Sequence, residues 1–252
     1  MVTRRIALDT RSNEGRAEIL YRDWDIARVA VVVCDMWDAH HCVLAQRRVD
    51  EMAPHMNDVL GAMRRQRALI VHAPSDCMAF YCDTPARGRA VGAPSVSAAA
   101  PIDWNDWHQD ELETLPTTLT DPGSCSCDSP EPCGEQFRAW TRQTALIDIL
   151  PEDVVSDDGQ EIFNVLHQHG IRDVLVMGVH TNACVLGRPF GIRQLVYLGM
   201  RPVLCRDLTD AFHRDTRGHL WGTDTMIAHI ERRWCPSLTS DQLVGGAPFE
   251  FS

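Results

Sequence analysis

The stretch GVHTNACV, residues 178–185, places a thiol, Cys184, just beyond an apolar run that ends at a glycine. A second stretch, RVAVVVCD at 28–35, is a β-branched run ending in a carboxylate, Asp35. A thiol and a carboxylate at two strand ends are parts suited to acyl transfer from an amide through a thioester. The sulfur attacks the carbonyl carbon, the carboxylate takes the thiol proton, and backbone N–H groups at a turn hold the oxyanion. A helix opening at Cys184 would lower the thiol pKa and favour the thiolate. Each residue also has a plainer reading. A buried cysteine is a small hydrophobe, and an aspartate often caps the loop after a strand.

Those side chains need elements to position them. Residues 28–35 suit a strand buried on both faces, as in a parallel sheet. Leu44, Val49, Met52, Met56, Val59, Leu60 and Met63 recur at helical spacing within 43–67. Strands are predicted at 68–74, 145–150, 173–179 and 201–207, and helices at 159–170, 183–199 and 223–234. Strand and helix alternate. The predicted fold is therefore α/β: a doubly wound, mostly parallel sheet with helices on both faces, a Rossmann-like three-layer sandwich. One domain over 1–252 is expected, with a long irregular insertion at about 75–140 rich in Pro, Gly and Ser. Ligands of such sheets bind beyond the carboxyl ends of the strands, where Asp35 and Cys184 fall.

Composition narrows the partners. The chain has 252 residues, a net charge of −11, 44% apolar and 23% charged residues. That acidity argues against nucleic acid and anionic membranes as partners. No apolar stretch reaches the length of a membrane span, and the basic N-terminus lacks the apolar core of a signal peptide, so a cytoplasmic location is expected. The ten cysteines do not form the dense framework of a small secreted domain. There is no lysine; apart from histidine, every basic side chain is arginine.

The two stretches VVVCDMWDAH and GVHTNACV together resemble the isochorismatase-like cysteine hydrolases, the superfamily that includes nicotinamidases and N-carbamoylsarcosine amidases. The second matches its Gly-Val-x-Thr-x-x-Cys-Val motif, and the order of elements is similar over roughly residues 27–235. The resemblance implies that Cys184 is the nucleophile and Asp35 its base. It implies a cis peptide between Val179 and His180, with the amides of His180 and Cys184 forming the oxyanion hole. It implies a hydrolase of a small amide, carbamoyl or imide compound, commonly dimeric or tetrameric. The family triad is completed by a lysine just after the third strand. Here the segment before GQEIFNVL is a shortened PEDVVSDD, without lysine. Arg142, in WTRQT, is the candidate replacement: a permanent, forked cation rather than an adjustable ammonium. His180 and His72 are further candidates. The missing lysine also motivates an alternative, a relative that binds a small molecule or partner without catalysis. An ether-cleaving isochorismatase activity is a further enzymatic variant.

Histidines raise the question of a metal. DMWDAHHC offers Asp38, His40, His41 and Cys42; HAPSD offers His72 and Asp76; NDWHQD offers Asp106 and His108. None matches the arrangement of metal-carrying relatives, so no metal or other cofactor is expected, and zinc through His40, His41 or His72 is the alternative. Trp37, His40, His41 and His72 are instead taken as substrate-binding residues. CSCDSPEPC, 125–133, lacks a standard four-ligand zinc spacing and reads as a loop with incidental thiols. Trp104, Trp107, Trp140 and the pair Phe80–Tyr81 could line a pocket for a flat substrate or pack the insertion. Phe249 and Phe251 near the C-terminus are expected to dock on the body or on a second subunit.

Overall fold

A computed structural model describes residues 3–98, 125–127, 133, 137–214 and 217–252. The run Val29–Cys34 forms β3, every residue of it buried. It is flanked in parallel by β4 (Leu69–Ala73) and by β6 (Asp173–Val179). Short β5 (Val154–Val155) extends the sheet beyond β4, and β7 (Arg201–Asp210) and β8 (Ser237–Leu238) extend it beyond β6, all parallel. An N-terminal hairpin, β1 (Thr3–Arg11) and β2 (Ala17–Asp25), closes that edge antiparallel. Among the described residues the order is β2-β1-β8-β7-β6-β3-β4-β5.

Successive side chains of β3 point to opposite faces. Val31 and Val33 pack with Val49, Met52, Met56, Val59 and Leu60 of α1 (Val43–Arg65). Ala30, Val32 and Cys34 face the other layer. It contains α4 (Gly159–Gln168), α5 (Cys184–Gly187), α6 (Ile192–Tyr197) and α7 (Trp221–Arg233). The chain is thus a single α/β domain with a mostly parallel sheet between two helical layers, as the alternation predicts. No described helix is long and apolar enough to cross a membrane. Phe249 and Phe251 pack on the α1 face, so the tail does dock on the body; α8 (Asp241–Val244) precedes them.

Three differences from the sequence reading have physical causes. The predicted strand at 145–150 is a turn: of its residues only Ile147 is fully buried, Leu146 is exposed, and Asp148 and Asn57 exchange hydrogen bonds of 3.0 Å. The sheet is extended instead by Val154–Val155. The predicted helix 183–199 is two short ones, because Pro189 and Gly191 interrupt it. A residue before proline is pushed out of the α region, and Arg188 is accordingly extended at φ −62°, ψ 158°. The hairpin escaped prediction because β2 lacks a buried alternation: Ile19, Leu20 and Tyr21 in succession face solvent, while Ile6, Leu8 and Trp24 are buried. Within 75–140, helices α2 (Met78–Tyr81) and α3 (Pro85–Val91) are formed. Asp106, His108, Trp104 and Trp107 lie outside the described residues.

Gly178 lets β6 approach β3. Its φ is +114°, and a Cβ there would sit far inside contact distance of the Cys34 carbonyl oxygen. Gly178→Ala is expected to cost roughly 3 kcal/mol or more, by strain plus backbone collision. Gly199 also has positive φ, +73°, but open space around its Cβ position, so Gly199→Ala should cost only about 1 kcal/mol. Urea midpoints of the two variants measure the difference; equal midpoints would remove the close-packing argument.

Candidate active site

Asp35 terminates β3 and Cys184 opens α5 just after β6, the neighbouring strand. Parallel pairing of β3 with β6 therefore brings the two stretches side by side. Asp35 adopts a left-handed backbone, φ 48°, which turns the chain sharply at the strand end. Its carboxylate is fully buried and accepts the Ser75 N–H at 2.7 Å through Oδ1. The Cys184 thiol is its electrostatic neighbour. The Val179–His180 peptide, which leads into the Cys184 turn, is cis.

A third group completes this constellation. Arg188 Nε lies 3.6 Å from Asp35 Oδ2, and its guanidinium interacts electrostatically with the Cys184 sulfur. Another guanidinium nitrogen reaches within 3.9 Å of Asp76 Oδ2, on the solvent side. Arg188 follows Cys184 by four residues, one helical turn, and Pro189 then bends the chain away. Gly159 permits this arrangement, since a Cβ there would lie 2.5 Å from the Pro189 carbonyl oxygen.

Arg142, the replacement suggested by sequence, is not in this constellation. Its Nε lies 3.7 Å from Asp38, its guanidinium stacks over Phe80, and its side chain is 47% exposed. Asp38 is itself occupied by Thr141 and the Arg142 amide. His72 is also placed elsewhere. It is internal to β4 and fully buried, bonded to Gln143 at 3.0 Å and to Asp153 at 3.3 Å beside Arg64. That network ties α1 to the loop before β5.

The remaining sequence candidates do converge. Trp37 is buried, donates its indole N–H to the Ser75 carbonyl at 3.2 Å, and stacks on Trp140 at 4.1 Å. The His40 ring lies 4.3 Å from His41, 5.2 Å from His180 and 5.3 Å from Phe212. Phe212 is 5.0 Å from His180. These rings form an aromatic wall beside the His180 turn. Sequence reasoning missed Arg188 and Phe212. The four-residue spacing from Cys184 could have flagged Arg188; no local signal marks Phe212, which arrives from the loop after β7.

Burial sets the protonation states. It lifts the Asp35 carboxyl to about 6, with Arg188, Cys184 and Ser75 holding it from rising further. Burial, then the Asp35 charge, pushes the Cys184 thiol well up. This reverses the expectation of a depressed thiol, because α5 has only four residues and contributes little dipole while desolvation is complete. Burial works against the charge on Arg188, but Cys184 and Asp35 outweigh it and hold the guanidinium firmly cationic. Burial, then His41, pushes His40 down to about 4; burial, then His40, lowers His180. The resting site pairs a thiol with a carboxylate under a fixed cation, beside the neutral rings of His40 and His180.

No protein-family model matches the sequence, and no curated protein matches it. Solved structures do match. A cysteine hydrolase from Pseudomonas syringae aligns over 88% of this chain and 93% of its own, at 14% identity and a TM-score of 0.52. An isochorismatase family protein from Burkholderia thailandensis covers 86% and 94%, at 14% identity and 0.50. An isochorismatase-like hydrolase from Alkaliphilus metalliredigens covers 87% and 97%, at 12% identity and 0.50. The chain has the isochorismatase-like fold.

Proposed function

We propose that this chain is a cysteine-dependent hydrolase of a small amide, carbamoyl or imide compound, with Cys184 as nucleophile, Asp35 as base and Arg188 as the cation in place of lysine. The observation that carries this reading is the convergence of those three groups at the carboxyl ends of two adjacent parallel strands. Such convergence of nucleophile, base and cation is the geometry acyl transfer requires.

The steps balance around one proton. Asp35 takes it from Cys184 as sulfur bonds to the carbonyl carbon. The carbonyl electrons move to oxygen, which the amides of His180 and Cys184 would hold. Collapse breaks the C–N bond, and Asp35 returns the proton to the leaving nitrogen, leaving a thioester. Water, deprotonated by Asp35, attacks the thioester; the acid departs and Cys184 regains its proton. A resting thiol suits this order, because the proton leaves only as sulfur attacks. Asp35 near 6 suits both directions of transfer. Arg188 cannot exchange protons at neutral pH, so its part is electrostatic. The reaction needs no cofactor. Trp37, Trp140 and Phe212, with His40 and His180 held neutral, favour a flat, uncharged substrate.

The test is a screen of small amides for ammonia or amine release, with rapid acid quench and mass analysis. A turned-over amide should leave its acyl group on the peptide bearing Cys184, and Cys184→Ala should lose both product and adduct. Turnover undiminished in Cys184→Ala would overturn the reading, as would substrate binding without hydrolysis across the panel; the latter favours a binding role.

A further inference from the structure

Three cysteines of the CSCDSPEPC stretch meet a fourth that is distant in sequence. Cys42 caps the N-terminus of α1, whereas Cys125, Cys127 and Cys133 come from the segment between α3 and β5. Their four sulfurs all lie within 4.8 Å of one another. Cys42 Sγ is 3.8 Å from Cys125 and 3.7 Å from Cys127, and Cys133 Sγ is 3.3 Å from each of those two. Four thiolates around one zinc at ~2.3 Å would stand ~3.8 Å apart in a tetrahedron. The two Cys42 separations match that value, and the two Cys133 separations are shorter. They are too long for disulfide bonds, and all four cysteines are free.

The surroundings suit a thiolate site. The Ser126 N–H donates to Cys42 Sγ and the Cys127 N–H to Cys125 Sγ, each at 3.2 Å. Such donors offset charge on metal-bound sulfur. Ala45, Leu44 and Phe212 enclose the group. Cys42 and Cys125 are buried, and Cys127 and Cys133 half-buried. Four thiols give each other only weak hydrogen bonds, a poor reason for converging across 83 residues of chain. A single soft cation is a sufficient reason.

We propose that Cys42, Cys125, Cys127 and Cys133 form a closed, structural zinc site. The ion displaces four thiol protons and forms four Zn–S bonds, with no oxidation or reduction. With four protein ligands, no position is open for a substrate, so the site holds structure rather than performing chemistry. What it holds is the insertion against the start of α1. The Cys42 amide donates to His40 Nδ1 at 3.0 Å, and Phe212 packs in the same cluster. The ion thereby braces two members of the aromatic wall beside Cys184. The site is separate from the Asp and His residues weighed from sequence, and the assignment does not depend on the proposed hydrolysis.

The full chain, purified without a histidine tag or chelator, is analysed for zinc and iron. About one zinc per chain is expected, falling below ~0.1 in Cys42→Ser and in Cys133→Ser, while Cys82→Ser, at an exposed thiol outside the cluster, retains it. Cobalt added to zinc-stripped wild type should give the intense sulfur-to-cobalt charge-transfer bands of a tetrahedral S4 site, a readout independent of whether the variants fold. Loss of zinc should also lower Tm. Wild type with less than ~0.1 zinc that also fails to bind cobalt overturns the site. So does a four-dalton mass deficit mapping to two disulfides in this cluster. One equivalent of iron in place of zinc overturns the assignment to zinc.

Discussion

Asp35→Asn should lower kcat/KM by about 10³-fold or more and, at neutral pH, stabilise the fold. A positioned general base contributes ~10²–10⁴-fold, and here the same group also serves as the acid for the leaving nitrogen. The wild-type rate should rise with pH through about 6, as the Asp35 carboxyl ionises, and the variant should lose that limb. The sign for stability is opposite. Burial raises the folded carboxyl from 3.8 to about 6, so the folded state holds its proton more tightly than the unfolded state. The stability linked to that proton is present below about 3.8 and is lost as pH rises through about 6. The charged form therefore costs the fold up to about 3 kcal/mol at pH 7. Asparagine stays neutral and can still accept the Ser75 N–H. Urea titrations at pH 5 and pH 8 should show the gain of the variant widening at the higher pH. A variant with half the wild-type rate would remove Asp35 from the mechanism.

Arg188→Ala should reduce kcat/KM by about 10²–10³-fold at pH 7, whereas Arg142→Ala should stay within about threefold of wild type. A loss of 10²–10³ corresponds to about 3–4 kcal/mol of transition-state stabilisation, a fair magnitude for one partly buried charge facing developing negative charge. Without the guanidinium, Asp35 keeps its burial penalty and loses its main compensating charge. Its pKa should move above 6, carrying the acidic limb of the pH–rate profile upward. Arg188→Lys should recover part of the rate, because it restores a positive charge near the thiol while losing the forked geometry. Arg142 belongs to a half-exposed pair with Asp38, and such pairs are worth little. A crippled Arg142→Ala beside an active Arg188→Ala would reverse the assignment of the cation.

Parts of this molecule were legible in order of residues alone. The unbroken burial of Val29–Cys34 followed from its β-branched run, and alternation of strand and helix required a parallel sheet between helical layers. The placement of Asp35 and Cys184 at strand ends followed too, since period and punctuation are local properties of the chain. Local reasoning failed where distant contacts decide. Residues 145–150 look like a strand, but only Ile147 is fully buried, and the sheet takes Val154–Val155 instead. Arg142 and Arg188 are equally basic in sequence. Pro189 extends the chain at Arg188, and Gly159 gives Pro189 room, so Arg188 reaches the buried pair. The loop after Trp140 carries Arg142 out to Asp38. The four thiols show the same division most clearly. Cys125, Cys127 and Cys133 have no standard ligand spacing by themselves, because the fourth sulfur comes from Cys42 at the start of α1. Side-chain type and local spacing state what chemistry a residue can do; chain packing alone determines which partners stand within reach, because electrostatic and ligand interactions depend on distances in space.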